Sequence, residues 1–415
     1  MKYLSNFHPE FVQPLLVGFK MLDKFNLTFF DDNVSFLKRY WKFLYLVPFT
    51  VAYITCMSIY MINIFSEEID VTEFAYMVPV YISFVTAVVK IIIILLKRKD
   101  ISTLVNDLGK SWRTFNLNSK QIERKEQLMK KLNLFLKIFY YVNVGAASLH
   151  LITPLVSVLV RKFVLKQDCK MVLPFQSVYP FDTSEDWVKY LVTYAFQTFI
   201  AFRLIYVYLA SQYLMINLCA FLAINFALLS EDLINVTPYF NKVKLLSQYS
   251  FHEQLEREST NITIQEFVKR HQKLIRLSHQ LDDIFNRIVF VILLLVTIVV
   301  CFFGFAITIS HGVIEKLNDF ISVLGLLFPT YILCYYSELL TSESLRIADA
   351  AYENLWLDGN VSYQKTILMI IRRSQKPCCL TSIKYVPINL NTFTKVLSTT
   401  WSYFSLATSM YSEKE

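Results

Sequence analysis

Apolar residues fall in seven long blocks along this chain, near 43–65, 74–96, 134–160, 188–229, 287–310, 318–341 and 387–411. A bilayer crossing takes about 20 mostly apolar residues in helical form. Each block therefore predicts a membrane span, and the chain reads as an all-α membrane protein. The fourth block is too long for one crossing, so part of it is expected to project into the cytoplasm as a helix. Upstream of the spans, the apolar run from Phe11 to Leu22 is interrupted by Pro14 and Lys20. That pattern reads as a short interfacial helix rather than a cleavable signal.

The polar segments carry helical periodicity of their own. In EFVKRHQKLIRLSHQLDDIF, residues 266–285, Phe267, Leu274 and Leu281 are seven apart, with Leu277 and Ile284 on the same seam. An amphipathic helix running straight into the fifth span is expected. In YQKTILMIIRRSQKP, residues 363–377, the apolar set Ile367, Leu368, Ile370 and Ile371 is followed by basic residues and Pro377, which predicts a second helix and its end. The last block differs from the other six. It contains Thr399, Thr400, Ser402, Ser405, Thr408 and Ser409 where earlier spans carry Ile, Leu, Val and Phe. At 100° per residue, Lys395, Thr399, Ser402, Tyr403, Leu406 and Met410 share one stripe. Hydroxyls survive in hydrocarbon by bonding the preceding turn's carbonyls. So many on one helix point either to water along one side or to Ser and Thr as glue between helices.

Composition agrees with the class: 55% of residues are hydrophobic and 18% charged, below the roughly 25% charge of soluble proteins. Only 7 glycines are present, which argues against a transporter of Gly-interrupted helices. Placement of charge predicts orientation. The segments 1–42, 97–133, 230–286 and 342–386 hold 29 Lys and Arg, against 6 on the other side. A cytoplasmic amino terminus and an extracellular carboxyl terminus follow. The sequons at Asn26, Asn33, Asn235, Asn261 and Asn360 then all face the cytoplasm and are expected to stay unmodified. That orientation opposes a seven-helix G-protein-coupled chemoreceptor, as do a third span without Asp-Arg-Tyr and a seventh without Asn-Pro-x-x-Tyr. Of the seven cysteines, Cys169 is the one in an external loop, and adjacent Cys378 and Cys379 read as reduced cytoplasmic thiols. No nucleophile-base arrangement, phosphate loop or metal-ligand spacing occurs, so no enzyme, catalytic residue, cofactor or metal is expected, nor a nucleic-acid partner.

The carboxyl-terminal third resembles the insect odorant receptor family. The matching residues are AAYENLW (350–356), MIIRRSQKP (369–377), Leu380 with Thr381, NTFTKV (391–396) and TTWSYFSL; YPFDTSEDW (179–187) before the fourth span is a second match. Trp401 departs mildly from the family's Tyr. Gustatory receptors share the architecture, but their terminal Thr-Tyr and Gln-Phe pattern is absent.

The resemblance implies an odorant-gated, non-selective cation channel of four subunits around one pore, in the plasma membrane of an olfactory neuron dendrite. A tuning subunit in this family assembles with a common co-receptor. This chain looks like the tuning subunit, because it lacks the co-receptor's long insertion between spans four and five. Two regions are then expected. Residues 1–341 would hold the interfacial helix, spans one to six and the ligand-binding bundle, with a cytoplasmic helical extension at about 215–286; residues 342–415 would hold a cytoplasmic anchor helix and the pore-lining seventh span. Thr399, Ser402, Tyr403, Leu406 and Met410 would line the pore, with Leu406 and Met410 at the family's gate. Lys395 is expected to snorkel away from the cation path or to be tolerated there. A volatile ligand needs an apolar, aromatic pocket with few polar groups. The outer halves of spans two, three, four and six supply Tyr76, Tyr81, Phe84, Ser148, His150, Tyr194, Phe199, Phe328, Tyr331 and Tyr335. Two charges lie inside spans: Lys90 is expected to snorkel to the basic edge, and Arg203 to have a partner.

Overall fold

The computed structural model describes residues 6–24, 44, 46–66, 71–166, 171–183, 186–236, 238, 262–310 and 312–412. The expectations for Asn26, Asn33, Asn261 and Cys169 lie outside these residues. Ten α-helices form the described part: α1 (Pro9–Lys24), α2 (Leu46–Ser66), α3 (Val71–Leu96), α4 (Arg98–Ser111), α5 (Ser119–Leu159), α6 (Trp187–Asn235), α7 (Ile264–Ile309), α8 (Val313–Glu353), α9 (Val361–Ser374) and α10 (Leu390–Ser412). Six of them, α2, α3, α5, α6, α7 and α8, are long and apolar enough to cross a membrane. The seventh predicted span is α10. Its 23 residues reach roughly 35 Å, enough to cross, but its hydroxyls keep it out of the apolar set.

The core is organised around α6. Its 49 residues extend roughly 73 Å, more than twice a hydrocarbon core. From Leu209 to Ser230 every residue is buried. A helix apolar on all sides belongs at a centre, and α1, α5, α7 and α8 pack around it. Asn217 and Asn225 are tolerated there because each side-chain amide donates to the carbonyl four residues back, at 2.7 and 2.8 Å.

Helix α1 packs one face on the bundle and leaves Gln13, Val17 and Lys20 exposed. Pro14 is accommodated within it, and Phe11, Leu15 and Leu22 are buried against the inner half of α6. The Phe11 ring lies 4.9 Å from Phe221 and 5.6 Å from Trp112. Gly18 allows this approach: a Cβ there would stand 3.3 Å from the Cβ of Tyr213. The apolar run from Phe11 to Leu22 thus finds a partner in the protein's own long helix.

Helix α7 is continuous from its amphipathic half into the span, and the seam of Phe267, Leu274, Leu277, Leu281 and Ile284 is buried along its length. Thr263 caps it, accepting from the Glu266 amide at 3.3 Å. In the same face His271 is enclosed by Phe267 and Phe226. Burial, with help from Arg373, lowers its pKa to about 4. The folded protein therefore keeps this ring neutral at pH values where an unfolded chain binds a proton. Stability contributed by the site is full above about pH 6.5 and is lost as pH falls toward 4, by up to about 1.4 kcal/mol per unit. Thermal denaturation of purified protein between pH 7 and pH 5 should show this slope, and His271→Asn should flatten it.

Between α9 and α10 the chain makes a two-strand hairpin, Thr381–Ser382 against Val386–Pro387, with Ile383 and Lys384 at positive φ. Asp282 of α7 holds it. Its carboxylate accepts from the Thr381 amide at 2.7 Å, the Thr381 hydroxyl at 2.8 Å and the Lys384 ammonium at 2.6 Å. Glu338 of α8 then caps α10, accepting from the Leu390 amide at 2.8 Å, where a helix amino terminus favours negative charge. Asn389 caps α10 locally, accepting from the Thr392 amide at 2.9 Å, and the two carboxylates on neighbouring helices tie that start to the bundle. Nearby Cys378 and Cys379 form no disulfide, and Cys378 is buried.

Candidate functional site

Two features stand out: a cavity inside the bundle and an uncovered face on α10. The cavity, about 190 Å³, lies between α3, α5, α6, α7 and α8. Its walls are chiefly apolar, including Val80, Phe84, Leu151, Leu204, Val296 and Phe303. The segment before α6 closes part of it with Phe175, whose ring meets Phe84 edge-on at 5.1 Å. Gln197 of α6 pins that segment: its amide nitrogen donates to the Phe175 carbonyl at 2.8 Å, and its oxygen accepts from the Phe175 amide at 3.2 Å. Most polar side chains of the wall are spent on their own helices. Ser83, Thr86, Asn143 and Ser322 donate to the carbonyls of Pro79, Ile82, Phe139 and Asn318.

Of the ten residues named from sequence for the ligand, Phe84 and His150 line this cavity. Tyr76 stands behind His150, with ring centroids 5.7 Å apart. Tyr81 hydrogen-bonds Ser58 at 3.0 Å, and Ser148 is half-buried on α5 away from the wall. Tyr194 donates to the Leu151 carbonyl and belongs to a separate cluster with Val158, Met171, Leu173 and Tyr190. Phe199 faces outward, its ring 5.0 Å from the Arg203 guanidinium. Phe328, Tyr331 and Tyr335 form an aromatic file with Phe135 and Phe393, and Tyr335 accepts from Lys131 at 2.7 Å.

Lys90 corrects the sequence reading. It does not snorkel. Only 1% of it is exposed, it lines the cavity, and its ammonium sits 3.8 Å from the centre of the Tyr208 ring. The stem follows α3 inward because α6 covers that face. For Arg203 the partner is an aromatic ring, Phe199, one turn earlier on the same helix. Tyr208, Asn143, Phe175 and Phe303 were not singled out from sequence. One signal did exist, the charge within the second span.

Helix α10 divides cleanly into two faces. Val396, Thr400, Phe404, Ala407 and Tyr411 turn toward the bundle. Gly304 of α7 receives Phe404, since a Cβ there would lie 3.4 Å from its ring, and Phe305 meets Tyr411 at 5.7 Å. Thr399, Ser402, Tyr403, Leu406 and Met410 are all exposed on the other side, as is Lys395. Leu406 and Met410 are 56% and 60% exposed. The hydroxyls of Thr400, Ser402 and Thr408 donate to carbonyls four residues back at 2.8 to 3.0 Å, and Ser409 to the carbonyl three back at 2.9 Å.

Residues 70–401 match the family model described as 7tm Odorant receptor. The chain belongs to that family. Relatives of this receptor include the putative odorant receptor 92a of Drosophila melanogaster, 23% identical over 95% of this chain and 96% of the relative. Odorant receptor 13a of the same fly is 25% identical over 58% of each chain. The fold is that of the insect olfactory receptor OR5 from Machilis hrabei. Its structure in complex with eugenol aligns with a TM-score of 0.78 at 13% identity, covering 96% of this chain and 98% of that one. Without eugenol the TM-score is 0.76 at 14% identity, covering 94% and 96%. The all-α, multi-pass membrane architecture predicted from sequence therefore holds, and the family is one of receptors rather than enzymes.

Proposed function

We propose that this receptor is the odorant-specific subunit of an odorant-gated, non-selective cation channel, assembled with a common co-receptor as a heterotetramer in the plasma membrane of an olfactory neuron. The bundle cavity is its odorant site and α10 its pore helix. The observation that carries the reading is the division of α10. One face packs on α7, while the opposite face presents a hydroxylated stripe ending in the uncovered pair Leu406 and Met410. With copies of α10 around an axis, that stripe would border water and the pair would close the passage by dewetting. The 29-to-6 charge balance supports a cytoplasmic amino terminus, with unmodified Asn235 and Asn360.

Coupling runs through α7 and α8. Helix α7 lines the cavity with Val296 and Phe303 and packs on α10 through Gly304 and Phe305; α8 lines it with Ser322 and Gly325 and meets α10 through Glu338 at the Leu390 amide and Tyr331 against Phe393 at 5.6 Å. An odorant opens the channel to the extent that it binds the open arrangement better than the closed one. A relative of the same fold that accommodates eugenol supports a small volatile as the ligand. Expression with and without the co-receptor, with current recorded against a volatile panel, tests the assignment. Odorant-evoked cation current that requires the partner is expected. Odorant responses that run through a G protein without ion flux would remove the channel reading.

A further inference from the structure

Lys90 is the wall residue least explained by the cavity's apolar character, and His150, which also lines it, has both ring nitrogens buried without a hydrogen bond among the described residues. The Lys90 ammonium is buried in the bundle, and among the described residues it has no hydrogen-bond partner. The face of the Tyr208 ring at 3.8 Å is its nearest electrostatic support. A cation-π contact offsets part of the cost of desolvating an ammonium but supplies no acceptor for its three N–H donors. Ser83, Thr86, Asn143 and Ser322 donate to their own helices, and no oxygen or nitrogen of these or of the other described wall residues accepts a hydrogen bond from the ammonium. A buried charge is expensive unless paired and hydrogen-bonded. What the cavity lacks is an anion with two oxygens and an apolar remainder.

We propose that the cavity selects aliphatic carboxylic acids, bound as carboxylates with both oxygens at the Lys90 ammonium and the alkyl tail along Phe84, Leu204 and Val296. This rests on the reading of the cavity as the odorant site and adds the chemical class of odorant. An alcohol or ester offers the ammonium an acceptor without countercharge, so the acid gains a charge-assisted bond the others lack. A site built around a buried donor rejects ligands that leave it unpaired.

The test uses the full receptor co-expressed with its co-receptor, with hexanoic acid and hexanol as probes. Wild type should respond to the acid at a half-maximal concentration at least about tenfold below that for the alcohol. Lys90→Met should raise the value for the acid by about tenfold or more, and by a clearly smaller factor for the alcohol, which gives up only a neutral acceptor. Lys90→Gln serves the same purpose if the methionine variant fails to reach the surface. Ala147→Phe, which fills the cavity, should remove responses to both probes. Equal shifts for acid and alcohol at Lys90, a wild-type preference for hexanol, or silence toward straight-chain acids in a complex that gates on other volatiles overturns the carboxylate assignment while leaving the cavity as odorant site. Undiminished responses in Ala147→Phe overturn the cavity reading, and the carboxylate assignment falls with it.

Discussion

Replacing Leu406 with alanine is expected to raise current in the absence of odorant by about tenfold at equal surface expression. The side chain is more than half exposed in a single protomer, one turn from Met410, on the side of α10 that turns away from α7. If the closed pore buries Leu406 against its counterparts, losing most of the side chain removes about 2 kcal/mol of apolar contact per copy. A shift of 1.4 kcal/mol in a two-state equilibrium is about tenfold, so even partial burial gives a measurable leak. Whole-cell recording with surface labelling reads it. A leak equal to wild type would mean that Leu406 faces lipid and that closure lies elsewhere. Trp401, also exposed, is off the stripe and serves as a control: Trp401→Ala should leave the leak unchanged.

The second large effect concerns assembly of the cytoplasmic end. Asp232, near the end of α6, has no exposed side-chain surface and is the hub of a polar network. It accepts from Gln121 at 2.7 Å and from Arg113, and Arg270 of α7 stands 3.9 Å away. Gln121 belongs to the capping box that starts α5, with its side chain accepting from the Asn118 amide at 3.0 Å. One carboxylate therefore joins α5, α6, α7 and the segment after α4. Burial holds its pKa above the usual carboxylate range, and Arg113 pulls the other way, so the pairing only partly offsets desolvation. Removing one partner of such a pair costs about 3–5 kcal/mol because the other is left uncompensated. Asp232→Ala should abolish surface expression or lower the melting temperature of purified protein by several degrees. Replacing Asp232 and Arg113 together by leucine should recover part of that loss, since no lone charge remains. If the double replacement is as unstable as the single one, the network's value lies in geometry rather than in charge balance.

Period and length made the helices legible in the sequence. The buried seam from Phe267 to Ile284 and the overlong fourth block follow from apolar spacing, which reports on a helix's own surface. The hydroxylated stripe of α10 was legible for the same reason, and the uncovered face agrees with it. The cavity was less so. Tyr194, Tyr335 and Phe84 look alike as aromatic positions in outer half-spans, yet only Phe84 lines the space, because helix rotation and crossing decide which rings converge.

The sequence by itself determined the class, the family and the helical blocks. These depend on composition and on 3.6-residue periodicity, both local. Tertiary structure decided that α1 packs on α6, that Asp282 and Glu338 tie the start of α10 to the bundle, and that Lys90 points inward rather than to the membrane edge. Each joins residues far apart in the chain, and the direction of a long side chain depends on which neighbouring helix covers its face.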